Sequence, residues 1–98
     1  MIKELRQTFT AAAEVEHSGV VRQARVTDLS IRGCYLTMPD PFTKGSSVLV
    51  KIRTERKFFQ CHATVAYSGC GLGMLLEFNS LSPPFRVVLQ EWLVQVIC

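Results

Sequence analysis

The sequence predicts an all-β domain with one C-terminal helix, arranged as a six-stranded antiparallel β-barrel, and three observations carry that prediction. In "FFQCHATVAY" the apolar Phe59, Cys61, Ala63, Val65 and Tyr67 alternate with Gln60, His62 and Thr64, which is the period of a half-buried strand. Clusters of turn residues ("HSG", "PDPF", "TKGSS", "TERK" and "SGCG") cut the chain into short segments, as in a sheet built from hairpins. After Ser82 the apolar spacing changes from that of a strand to that of a helix.

The elements follow in order. "TFTAAAEVE" (Thr8 to Glu16) is the first strand and "VVRQARVTDL" (Val20 to Leu29) the second. "GCYLTM" is the third, closed by "PDPF", whose prolines cannot continue a central strand. In "VLVKIR" Val48, Val50 and Ile52 share one face, with Lys51 and Arg53 on the other. "FFQCHATVAY" is the fifth strand. "LGMLLEF" is the sixth, with Leu72, Met74, Leu76 and Phe78 expected inward. Ser82, Pro83 and Pro84 open a helix over residues 83–96, a capping hydroxyl followed by residues whose missing N–H costs little there. Phe85, Val88, Leu89, Trp92, Leu93 and Val96 form its apolar stripe, expected to lie on the sheet. The apolar tail "VQVIC" fits packing against the barrel better than a dimer contact, so monomer and dimer both stay open. Residues 1–7 are expected to form an N-terminal arm.

A chain of 98 residues holds one domain with one core. It buries about 65% of its unfolded surface, enough for stability without a metal or a disulfide. No apolar run reaches the roughly 20 residues of a membrane-spanning helix. "MIKELRQTFT" lacks the apolar centre of a signal peptide, so a cytoplasmic location is expected. None of the four cysteines forms a Cys-x-x-Cys pair, and Cys34 and Cys61 lie within apolar runs. Buried reduced thiols are therefore expected. The net charge of +3 tolerates an anionic partner without requiring one.

The residues offer little for catalysis. His17 falls in a turn and His62 on the outer face of a strand, neither spaced from a nucleophile or carboxylate as a catalytic pair would be. Cys61 and His62, as strand neighbours, point to opposite faces and make a poor metal pair. "GCGLG" precedes a strand and not a helix, so it cannot cradle a phosphate at a helix N-terminus. A turn followed by a glycine that relieves crowding is the better account. The basic residues are scattered without interleaved aromatics, which gives weak support to a DNA- or RNA-binding surface.

"DLSIRGCYL" stands apart. Asp28, Ser30 and Gly33 sit where a strand must reverse. The oxygens of Asp28 and Ser30 can satisfy turn amides, with Gly33 supplying a positive φ. The same backbone can also aim a carboxylate and a hydroxyl at one ligand. A carboxylate accepts from the N1 and N2 hydrogens of guanine, and arginine grips the O6/N7 edge or a phosphate.

"VTDLSIRGCYLTMPDPFTKGSSVLVKI", "CHATVAYSGCGLGMLLEF" and "RVVLQEWL", in that order, resemble a PilZ domain over nearly the whole chain. The resemblance implies a bacterial six-stranded barrel that acts as a receptor for cyclic di-GMP, not an enzyme, with a protein partner downstream. The family's Asp/Asn-x-Ser-x-x-Gly motif falls on Asp28, Ser30 and Gly33. The second arginine of its Arg-x-x-x-Arg motif falls on Arg6, whereas the first falls on Ile2. The implied ligand residues are thus Arg6, Asp28, Ser30 and Gly33, with the arm ordering over the dinucleotide. Ile2 supplies neither donor nor charge, which keeps open an adaptor that binds proteins and has lost the ligand.

Overall fold

Residues His17 and Val20 face each other across a two-residue turn in which Ser18 and Gly19 both have positive φ (51° and 81°). That geometry matches the natural twist of a hairpin. The computed structural model describes residues 6–97. The hairpin joins β1 (Arg6–His17) to β2 (Val20–Ser30), followed by β3 (Gly33–Thr37), β4 (Ser47–Arg53), β5 (Phe58–Gly69), β6 (Gly73–Phe78) and the helix α1 (Pro83–Ile97). The strands close in the order β1-β2-β3-β6-β5-β4, with β4 returning to β1 and every pairing antiparallel. Closure removes the unpaired edges that an open sheet would present.

The inward positions fill the barrel. Val15, Val26, Leu36, Val50, Ile52 and Met74 are wholly or almost wholly buried. The helix starts where expected: the Ser82 carbonyl accepts from the N–H groups of Phe85 (3.1 Å) and Arg86 (2.9 Å). Leu89, Trp92 and Leu93 are buried, while Arg86, Gln90 and Glu91 face outward. The Trp92 ring lies 5.0 Å from that of Phe9 on β1 and 6.1 Å from that of Phe59 on β5, and Phe85 is 6.0 Å from Phe59. An ion pair between Lys57 and Glu91 ties α1 to the β4–β5 turn. Val96 and the tail "VQVIC" lie outside the described side chains.

Several expectations need correction. β1 begins at Arg6, so residues 6 and 7 of the expected arm belong to a strand, and the rest of that arm lies outside the described residues. Tyr67 was expected inward but is exposed, because a bulge between Val65 and Tyr67 sets Ala66 out of register and reverses the alternation. Leu72 was also expected inward and is 64% exposed. It belongs to the β5–β6 turn, where its N–H donates to the Gly69 carbonyl (2.9 Å). β6 starts one residue later, at Gly73, where a Cβ would stand 2.1 Å from the Leu36 carbonyl oxygen. The glycine placed there to relieve crowding is therefore Gly73. Arg22 lies 4.3 Å over the Phe42 ring and Arg53 lies 5.9 Å from that of Phe58, so two of the scattered arginines do meet aromatic rings.

Cys34 and Cys61 are free and buried, whereas Cys70 is free and exposed in the β5–β6 turn. Burial pushes the Cys34 thiol far up, with Cys61 adding to the effect. Cys61 is raised by burial too, partly offset by hydrogen bonds to backbone carbonyls. The folded chain therefore keeps a proton that the unfolded chain loses above about pH 8.5, so stability falls as the pH rises past that point. Between pH 8.5 and 10 the unfolding free energy, measured by urea titration, is expected to fall by up to about 1.4 kcal/mol per pH unit more in the wild type than in Cys34→Ala. Equal slopes would remove Cys34 as the cause.

Candidate functional site

Period-two alternation along β2 would place Val26, Asp28 and Ser30 on one face, all pointing into the core. The fold avoids this with one extra residue. Against β3, Val26 pairs with Leu36 and Asp28 with Tyr35, leaving Thr27 unmatched. The β1–β2 ladder is irregular at the same level, between Thr8 and Ala11. The phase therefore flips: Val26 and Leu29 are buried in the core, and Asp28 is half-buried on the opposite face.

The β2–β3 turn then fixes Ser30 and Gly33. Ser30, 7% exposed, accepts from the Arg32 N–H at 3.3 Å and donates from its hydroxyl to the Gly33 carbonyl at 3.4 Å. Its oxygen thus serves the turn, as the simpler reading of the motif requires. Gly33 departs from expectation, because its φ is not positive. It is glycine because the sheet approaches too closely. A Cβ there would stand 1.8 Å from the carbonyl oxygen of Leu76 on β6. In register, Gly33 faces Glu77 and Tyr35 faces Leu75.

These residues surround an open concavity of about 560 Å³. Asp28, Ser30 and Arg32 form one wall, Gly33 and Tyr35 the middle, and Leu75 and Glu77 the far side. The volume suits a small-molecule ligand. The structure thus brings Asp28, Ser30 and Gly33 to one place. Arg6 occupies the position on β1 opposite Ser30, which in an antiparallel ladder means a Cα separation of about 5 Å. Ile2 lies outside the described residues.

Tyr35, Leu75 and Glu77 were not singled out from the sequence. Tyr35 carried a usable signal, since it follows Gly33 by two residues on a strand and so shares its face. Leu75 and Glu77 carried none, because their place depends on the β3–β6 register. Among the described residues no three His, Cys, Asp or Glu side chains gather as a metal site would need, and no helix is long and apolar enough to cross a membrane.

A PilZ domain family model matches residues 3–95. Among curated protein sequences none matches. Several solved structures share the fold, among them the following three. The PilZ domain of YcgR from Escherichia coli, with c-di-GMP, aligns with a TM-score of 0.81 at 13% identity, over 98% of this chain and 91% of that one. The Bacillus subtilis inhibitor of motility MotI/DgrA gives 0.79 at 15% identity, over 96% of this chain and 49% of the inhibitor, so this chain spans about half its length. The PilZ domain of CeSA from a cellulose-synthesizing bacterium gives 0.72 at 15% identity, over 96% and 99%. The family match extends from before β1 to within the last turns of α1 and takes in both walls of the concavity; this chain belongs to the PilZ domain family.

Proposed function

We propose that this chain is a cyclic di-GMP receptor module, a binding domain and not an enzyme, with the concavity between β2 and β6 as its ligand site. The observation that carries this reading is the convergence of the family's Asp-x-Ser-x-x-Gly residues on one open concavity, with Arg6 entering β1 opposite Ser30. The YcgR PilZ domain with c-di-GMP shares this fold and so supports the choice of ligand. In the proposed complex Asp28 accepts from guanine, Arg6 meets a phosphate or the guanine O6/N7 edge, and Gly33 keeps the floor open. Ser30 holds the turn and presents its oxygen to the ligand. Ligand binding orders the N-terminal arm that leads into β1, and the altered surface is read by a protein partner.

Ile2 favours a second reading, an adaptor that binds a protein and takes the ligand weakly or not at all. It lacks one charge-assisted contact, worth on the order of 1.5–3 kcal/mol, or roughly ten- to a hundredfold in affinity. Calorimetric titration with cyclic di-GMP at moderate salt separates the two. A receptor shows saturable binding that Asp28→Ala and Arg6→Ala each weaken by about tenfold or more. No heat at about 100 μM protein favours the adaptor, since that limit excludes binding tighter than about −5 kcal/mol.

A further inference from the structure

We infer that Glu77, on the far side of the concavity from Asp28, reads the N1 and N2 hydrogens of a guanine and so contributes to base specificity; this rests on the cyclic di-GMP reading above. Glu77 lies opposite Gly33 on β3 in one direction and opposite Thr64 on β5 in the other. Gly33 has no side chain, so nothing on β3 separates the exposed Glu77 carboxylate from the concavity that it lines. Asp28 lines the same concavity from β2. The two strands flank β3, and the two residues face positions two apart along it, Tyr35 and Gly33, which sets the carboxylates' backbones about 12 Å apart at the usual strand spacing and rise.

The charges decide what such a wall can hold. Among the described lining residues Asp28 and Glu77 are carboxylates and Arg32 is the only cation. A phosphate near Glu77 would meet like charge, so the phosphates belong toward Arg32 and the strand position of Arg6. What suits the β6 side is a neutral group with paired donors. The guanine N1–H and N2 amine form such a pair, and a carboxylate takes them through two parallel hydrogen bonds. Tyr35 and Leu75, half-buried and in cross-strand register with Asp28, offer an apolar floor for the purine faces.

The sign of one measurement separates this role from that of a bystander. If Glu77 only stood near the ligand, removing its charge would strengthen binding of a dianion. If it reads guanine, removal weakens binding. Calorimetry on the full chain would compare wild type with Glu77→Val, using cyclic di-GMP and its analogue with hypoxanthine in place of guanine. Hypoxanthine keeps N1–H and lacks the N2 amine. The expected result is wild-type preference for cyclic di-GMP by about tenfold or more, with Glu77→Val weakening that ligand by about tenfold and narrowing the preference. Equal or tighter binding of cyclic di-GMP by a folded variant overturns the role of Glu77 while leaving the receptor reading intact. A wild-type chain that discriminates no better than twofold overturns it without any mutation. If wild type binds neither ligand, both readings fall together.

Discussion

Replacing Gly33 with alanine is expected to destabilise the domain by about 3 kcal/mol or more, a loss placed among the larger single-site effects. The added Cβ would stand 1.8 Å from the Leu76 carbonyl oxygen and 2.9 Å from its carbon. Both are backbone atoms, so no side-chain rotation relieves the clash. The β3–β6 ladder must open at the Gly33–Glu77 pair, and each lost hydrogen bond costs about 1 kcal/mol. The neighbours on either side, Cys34 and Leu76, are core residues and would be pulled from their packing. For a chain of this size a 3 kcal/mol loss lowers the melting temperature by roughly 10–25 °C. Circular dichroism melts would show it. Gly45→Ala is the control: it meets nothing within 4 Å but strains a φ of +91°, so it should cost only about 1–2 kcal/mol. A Gly33 variant as stable as wild type would mean the strands do not approach this closely.

Phe59→Ala is expected to cost about 3–5 kcal/mol, the usual range for removing a buried phenyl ring. Phe59 is fully buried and its ring meets those of Phe78 (5.2 Å), Phe85 (6.0 Å) and Trp92 (6.1 Å). Two of those rings belong to α1, so the cavity would open directly beneath the helix. The consequence differs from that of an ordinary core truncation. Trp92 loses a contact that keeps it buried, and its fluorescence should shift toward that of a wetter indole before the barrel melts. Val50→Ala, also fully buried but without ring contacts to α1, should lower stability without that early shift. Coincident fluorescence and circular dichroism transitions in Phe59→Ala would show that helix and barrel form one cooperative unit.

Strand number, the turns and the helix were legible because each rests on short-range pattern. Alternation in "VLVKIR" and "FFQCHATV" follows from half-burial of a single strand, and Ser82-Pro83-Pro84 marks a helix start by local backbone chemistry. The failures share one cause. Tyr67 and Leu72 were misplaced because bulges and strand starts depend on a partner strand that the local sequence does not name. Thr27 and Ala66, the residues left over, are neither glycine nor proline and carry nothing local that marks a bulge. The site divides the same way. Asp28, Ser30 and Gly33 were found as a motif, but the steric reason for Gly33 lies on β6, forty-three positions downstream at Leu76. Glu77 belongs to the concavity only through the β3–β6 register.

The unmatched Thr27 also has a consequence for motion. It has no counterpart in the ladder to β1 or in that to β3, and the two interruptions lie side by side. A strand with gaps on both sides has a seam there, and local opening begins where backbone pairing is thinnest. Amide hydrogens from Thr27 into the β2–β3 turn should therefore exchange with solvent through small excursions, while those of Val21 to Arg25 wait for the whole barrel to open. The end of the barrel that carries the concavity can thus yield without the rest, and a molecule bound across the seam would slow that exchange.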